Sequence, residues 1–199
     1  MTPPKAPDPT RRSERSRQAI LTATRELLFE VGYARLTIEA IAARAGVGKQ
    51  TIYRWWSSKG AVMFDSLLDM SRAEGAELPD TGDVEADLRT VLRAIVDEFN
   101  DPVLDGVTRA LNTEIQNDPQ LSADMRDRLL GPQLEATKDR LRAAQAVGQL
   151  APDLDLSVAV ELLFGPPFHR WLLRTAPLTH EYADTIVTMA VRAMRAAPR

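Results

Sequence analysis

The chain has 199 residues and a mass of 22.0 kDa, with 25 Lys and Arg, 28 Asp and Glu, two His and no Cys. At 44% hydrophobic and 27% charged residues it has an ordinary globular composition, long enough to bury a core and to form one or two domains. The lack of cysteine removes disulfide scaffolds, thiolate metal sites and thiol nucleophiles together.

Charge is distributed unevenly. Residues 1–60 carry 11 Lys/Arg and 5 Asp/Glu, a net +6, whereas residues 61–199 carry 14 and 23, a net −9. A basic first third on an acidic body points to a highly negative partner for the N-terminal part alone. The basic start has no apolar run after it, so it is not a secretory signal. No stretch approaches the ~18 apolar residues of a membrane span. Even the richest, Val158 to Phe168, contains Glu161 and a Pro-Pro pair. A soluble cytoplasmic chain with no membrane partner is expected.

Residues 1–13, with four prolines and the adjacent Arg11 and Arg12, read as a disordered basic arm. From about Ser16, Ile20, Ala23, Leu27, Leu28 and Val31 form a helical stripe that stops at Gly32. Thr37 offers an N-cap oxygen to a short helix with Ile38, Ile41, Ala42 and Ala45 inward, and Gly46 ends it in a left-handed cap. A third helix is predicted from Lys49 to about Trp56, opened by Gly48. A longer amphipathic helix follows Lys59, and a linker lies near Leu78 to Asp83. Further helical patterns run near 84–99, 102–116, 122–148, 156–174 and 180–196. Gly131-Pro132 and Gly165-Pro166-Pro167 fall inside them and are expected to kink or split them. No β alternation or internal repeat is present. The fold expected is all-α, of about nine helices: a three-helix N-terminal domain and a larger helical domain.

Residues 37–56 carry the chemistry. Two short helices around a tight Gly-containing turn make a helix-turn-helix, whose second helix can enter the major groove. Ile52 and Trp56, four apart, face inward with Val47. Lys49 and Tyr53, also four apart, fall on the opposite side with Gln50 and Thr51. That outward face supplies hydrogen bonders for base edges and phosphates.

Here the sequence resembles the TetR-family DNA-binding domain. The resemblance rests on Thr37, Ile41-Ala42, Ala45-Gly46-Val47, Thr51-Ile52-Tyr53, Trp56 and Ser58-Lys59, in order and at fixed spacing. It covers residues 14–74, with the helix-turn-helix at 37–56. Gly48 departs from the family pattern, which commonly has Ser or another polar residue there. Trp55 stands where His or Tyr is frequent and can donate its indole N–H to a phosphate. The resemblance implies that Thr37 and Lys59 grip phosphates and that Lys49, Gln50 and Thr51 approach base edges. It also implies that Tyr53 and Trp55 touch backbone or thymine methyls. Arg54 reads either as a phosphate contact or as a solvated charge. Arg11 and Arg12, with Arg15 and Arg17, form either a DNA-binding arm or a solubilising tail.

Residues 75–199 are similar in outline to the same family's ligand-binding and dimerisation domain. There the last two helices pair with those of a second copy. Phe168, Trp171, Leu172, Ile186, Val187, Ala190 and Met194 are accordingly the candidate dimer residues. Phe64, Leu67, Leu92, Phe99, Leu111, Asn112, Phe164 and Phe168 are candidate walls of a pocket for a small, largely apolar effector.

The function implied is that of a homodimeric repressor, released from a palindromic double-stranded DNA operator by the effector. An effector-independent DNA-binding dimer, either an activator or an architectural protein, is the alternative. Enzymatic activity is not expected. The two histidines are eleven residues apart, and no HExxH, Gly-rich phosphate loop or G-x-S-x-G is present. Asp153 and Asp155 read as a turn and an N-cap, and no metal or cofactor is expected.

Overall fold

The computed structural model describes the backbone of residues 9–74 and 78–195, and the side chains of residues 13–71 and 78–195. Its elements are helical, with no strand among the described residues. By their contacts the residues divide into two compact units, residues 1–75 with 106–125 and residues 76–105 with 126–199. Among the described residues no helix is long and apolar enough to cross a membrane.

In the first unit, α1 (Pro9–Val31) packs against α2 (Ile38–Ala45) and α4 (Lys59–Glu74). The predicted stripe is what it buries, with Ile20 and Leu28 fully enclosed beside Ile41, Ile52, Met63 and Phe64. The helix starts at Pro9 and not near Ser16, so the backbone of residues 9–13, expected in the disordered arm, is helical. Proline has no N–H to lose in a first turn, and Arg, Ser and Glu carry the helix forward. Glu14 and Arg17 add an ion pair at 3.3 Å. Residues 1–8 of the predicted arm lie outside the described residues. After a single turn of 3₁₀ helix at Tyr33–Arg35 comes the short α3, Lys49–Tyr53. It ends three residues earlier than its pattern suggested, so Trp55 and Trp56 stand just beyond it. Gly46 sits at φ 66°, ψ 34°, its N–H bonded to the carbonyls of Ala42 and Ala43, and so turns the chain from α2 toward α3. Residues 106–117 of α6 (Pro102–Asn117) and α7 (Pro119–Met125) complete this unit, α7 lying on α4.

In the second unit, α5 (Val84–Asn100), α8 (Gly131–Ala146), α9 (Leu156–Leu173) and α10 (His180–Met194) share one core. Leu88, Leu92 and Val96 of α5 meet Leu141, Leu163, Val187 and Val191 there. Asp83, Asp155 and Thr179 cap the starts of α5, α9 and α10 through backbone N–H groups two or three residues on. Helices α5 and α10 run antiparallel and are cross-linked at every turn. Arg89 donates to Thr188 at 2.9 Å, Arg93 chelates Asp184 at 2.8 and 2.5 Å, and Asp97 bonds His180 at 2.7 Å.

The two proline-containing segments behave differently. Ahead of Gly131-Pro132 the chain widens into a π-helical turn, Arg126–Leu130. Pro132 has no N–H for the carbonyl four residues back, and the wider turn moves that carbonyl off the ring. At Gly165-Pro166-Pro167, by contrast, α9 runs on without a break, against expectation. The residue before a proline is normally forced out of the helix by its own Cβ and N–H. Gly165 lacks the first and Pro166 lacks the second.

Candidate nucleic-acid interface

Thr37 begins α2 by accepting the Ala40 N–H at its hydroxyl oxygen, 3.1 Å. That oxygen is spent on the helix, whereas its O–H remains a donor on the exposed surface. On α3, Ile52 is fully buried, and Trp56 just after it is 5% exposed with its indole N–H on Asp65 at 2.9 Å. These two anchors fix the rotation of the segment. They turn Lys49, Gln50 and Tyr53 to solvent, with Tyr53 half exposed and Trp55 at 41%. Thr51 is half-buried, and Arg54 is exposed. Lys49, Gln50, Tyr53 and Trp55 are thus exposed, while Ile52 and Trp56 are buried.

Two members of this face are held by partners that the sequence did not reveal. Lys49 Nζ donates to Glu39 Oε1 at 2.9 Å, across the turn between α2 and α3. The lysine holds the Glu39 carboxyl below the ordinary range, and the carboxylate raises the ammonium in return. Lys59, at the start of α4, lies 3.8 Å above the Tyr33 ring and donates to the Tyr33 carbonyl at 3.1 Å. One of its three N–H bonds is therefore used inside the unit, and the ammonium also rests against the ring face. Burial, and then the neighbouring Glu114 carboxylate, push the Tyr33 phenol well above its usual range. Neither Glu39 nor Tyr33 sits at a spacing that a helical pattern would flag. Both are tertiary contacts between different elements, ten and twenty-six residues apart in the chain.

Of the basic residues near the N-terminus, Arg17 is tied to Glu14 at 3.3 Å and lies 3.8 Å from Asp65. It belongs to the packed part of α1. The backbone of Arg11 and Arg12 is in the first turns of α1, and their side chains lie outside the described residues.

Two stretches of this chain match known families. Residues 20–65 match the family described as bacterial regulatory proteins, tetR family, and residues 78–190 match the tetracyclin repressor-like C-terminal domain. The chain belongs to the TetR family. This TetR-family protein is a DNA-binding transcriptional regulator and not an enzyme. It is 33% identical over 185 residues to the HTH-type transcriptional regulator YdeS of Bacillus subtilis (strain 168), covering 93% of this chain and 92% of that one. Among solved structures, the TetR family transcription regulator SCO0332 superposes with a TM-score of 0.78 at 33% identity, over 92% of this chain and all of that one. RolR in complex with resorcinol shares the fold at a TM-score of 0.68 and 17% identity, over 94% and 91% of the two chains.

The residues singled out for an effector are distributed over both units of the regulator. Phe64 and Leu111 are buried in the first, where Leu67 is half-buried and the Asn112 amide donates to the Thr108 carbonyl at 2.9 Å. Leu92 is fully buried in the second, among Val96, Leu163 and Val187. Phe99 and Phe168 are brought together there by Trp171, at centroid distances of 4.8 and 5.4 Å, and Phe164 packs against the core.

The candidate dimer residues also separate. Trp171 is enclosed, its indole N–H on Asp105 at 2.6 Å, and Ile186, Val187, Ala190 and Met194 face inward toward α5. Within the protomer these five side chains are buried in the second unit. Phe168 and Leu172 remain exposed, joined on the outside of α9 and α10 by Val158, Leu162, Leu173 and Met189.

Proposed function

We propose that this regulator is a homodimeric repressor that holds a palindromic operator and is released from it by a small, largely apolar effector. The observation that carries the reading is the exposed Lys49, Gln50, Tyr53 and Trp55 face, held outward by buried Ile52 and Trp56. Thr51 at its edge, with Thr37, Lys59 and the N-terminal Arg11 and Arg12, supplies the remaining DNA contacts. Residues 14–74 act as the DNA-binding domain and residues 75–199 as the effector and dimer domain.

One such helix-turn-helix reads only a few base pairs. Two related by a dyad read half-sites about one helical turn apart. The outward apolar residues Leu162, Phe168, Leu172, Leu173 and Met189 supply the dimer contact, since so much exposed apolar surface on neighbouring helices marks an interaction site. Phe99, Phe164 and Phe168 are the aromatic side chains of the second unit that would meet such an effector, Phe99 and Phe168 lying beside Trp171. RolR, which shares the fold, binds resorcinol. An effector shifts operator affinity only through unequal affinity for the bound and released arrangements of the dimer.

The test is selection of random duplex DNA on the full-length protein at a stated salt concentration, followed by sequencing. A palindrome is expected. Salt-sensitive retention without any motif would instead make the protein an architectural binder of the DNA backbone.

A further inference from the structure

Lys49 is the one ammonium on the outward face of α3, yet it is paired. Its Nζ lies 2.9 Å from Glu39 Oε1, and both side chains are more than half exposed, at 54% and 65%. Glu39 is the second residue of α2, whose Ile38, Ile41 and Ala42 are buried, so the carboxylate projects outward beside the lysine. A lysine meant only to grip phosphate gains nothing from this neighbour. The carboxylate cancels its charge and repels the same phosphate.

An ammonium and a carboxylate one hydrogen bond apart are suited to a different target. In the major groove a G·C pair offers guanine O6 as acceptor and the cytosine N4 amine as donor. Those two atoms are themselves hydrogen-bonded partners, and so stand at the same spacing of roughly 2.9 Å. We infer that Glu39 is a specificity-determining residue of this regulator. With Lys49 it reads one G·C pair in each half-site, Glu39 accepting from cytosine N4 while Lys49 donates to guanine O6.

The inference rests on the DNA-reading role of α3 proposed above. It adds that discrimination at this position comes from a carboxylate on α2, which also disfavours non-specific registers by facing phosphate. The pair's whole effect is on which sequence is held.

Random-duplex selection on full-length wild-type protein, Glu39→Gln and Lys49→Ala tests it, with Tm measured on each. All three should melt alike, because both side chains are exposed. The wild type should enrich a palindrome with a G·C pair at one symmetric position. Glu39→Gln should lose that preference by about tenfold at that position alone, shifting toward A·T because glutamine pairs with adenine. Its binding to random DNA should become more salt-dependent, by a log–log slope of ~0.9 per half-site, as the freed lysine takes a phosphate. Lys49→Ala should lose the same position but leave the non-specific slope unchanged. An identical preference in Glu39→Gln, or a uniform loss at every position, overturns the role of Glu39 while leaving operator recognition standing. A wild type that enriches no motif overturns both.

Discussion

Arg140 of α8 places Nε and Nη2 on a single carboxylate oxygen of Asp87 of α5, at 3.0 and 2.6 Å. The Thr81 hydroxyl donates to the other oxygen at 2.7 Å. Both charged side chains are buried, Asp87 at 2% and Arg140 at 7%, so the pair clamps the segment before α5 onto α8. Removing the aspartate strands a guanidinium in the interior, and that penalty dominates over the lost attraction. Asp80, 3.3 Å from Arg140, softens it. Asp87→Ala should therefore cost about 3 kcal/mol, or roughly 6–12 °C in Tm, at the lower end for a broken buried pair. Denaturant unfolding of the two proteins checks the figure.

The same pair sets an acid limit. Burial raises the Asp87 pKa, but the hydrogen bonds from Thr81 and Arg140 outweigh it, and the group ends below its ordinary 3.8. A carboxyl depressed in the folded state binds its proton more readily when unfolded. Its stabilisation is complete above the unfolded value and is lost as pH falls through the folded one. Stability should thus decline below about pH 4 in the wild type. In Asp87→Asn the decline should be shallower across the same range, from a lower starting stability. Parallel curves would show that other carboxylates dominate.

Neighbouring tryptophans separate folding from recognition. Trp56 is buried with its N–H on Asp65, whereas Trp55 is 41% exposed and 6.3 Å from it, centroid to centroid. Trp56→Ala should cost about 3–5 kcal/mol of stability. Trp55→Ala should shift stability by no more than about 0.5 kcal/mol, yet weaken operator binding roughly thirtyfold by removing an indole–phosphate hydrogen bond. Thermal melts and operator titrations on both variants distinguish the two roles.

The all-α architecture was legible because helical stripes and Gly/Pro punctuation coincide through most of the chain. Most boundaries from α5 onward lie within a few residues of their predicted places. The helix-turn-helix was legible for a further reason: Ile52 and Trp56 fix which way Lys49 and Tyr53 point. What an apolar face packs against was not legible. On α10, Val187 and Met189 are equally apolar, yet the first is wholly buried in the core of its own unit and the second is 68% exposed. Periodicity shows that a helix hides a side, not what covers it. The Glu39–Lys49 and Tyr33–Lys59 contacts were hidden in the same way, since each depends on two elements meeting in space.

Gly48, the departure from the family pattern, leaves α3 without a side-chain cap. Its backbone, at φ −77° and ψ 148°, is open to any residue, and a Cβ there meets nothing within 4 Å. A serine hydroxyl would accept an N–H from the first turn of α3 and reduce the freedom of the unfolded chain. Gly48→Ser should stabilise the protein by about 0.5 kcal/mol, or roughly 1–2 °C in Tm. An unchanged melt would mean that the added hydroxyl leaves the N–H groups of α3 to water.

Gly131 is constrained by space. A Cβ on it would stand 2.8 Å from the Arg126 carbonyl oxygen, and that oxygen belongs to the backbone of the π-helical turn. At Gly60 a Cβ would come equally close to Glu114, but there the obstacle is the end of a flexible side chain. Backbone in a helical turn yields only by opening the turn, whereas a carboxylate can swing aside. Gly131→Ala should therefore destabilise the protein by about 1–3 kcal/mol, and Gly60→Ala by distinctly less. Melting both variants decides the matter. Equal costs would mean that the π-helical turn relaxes to an ordinary helical one as readily as a side chain rotates.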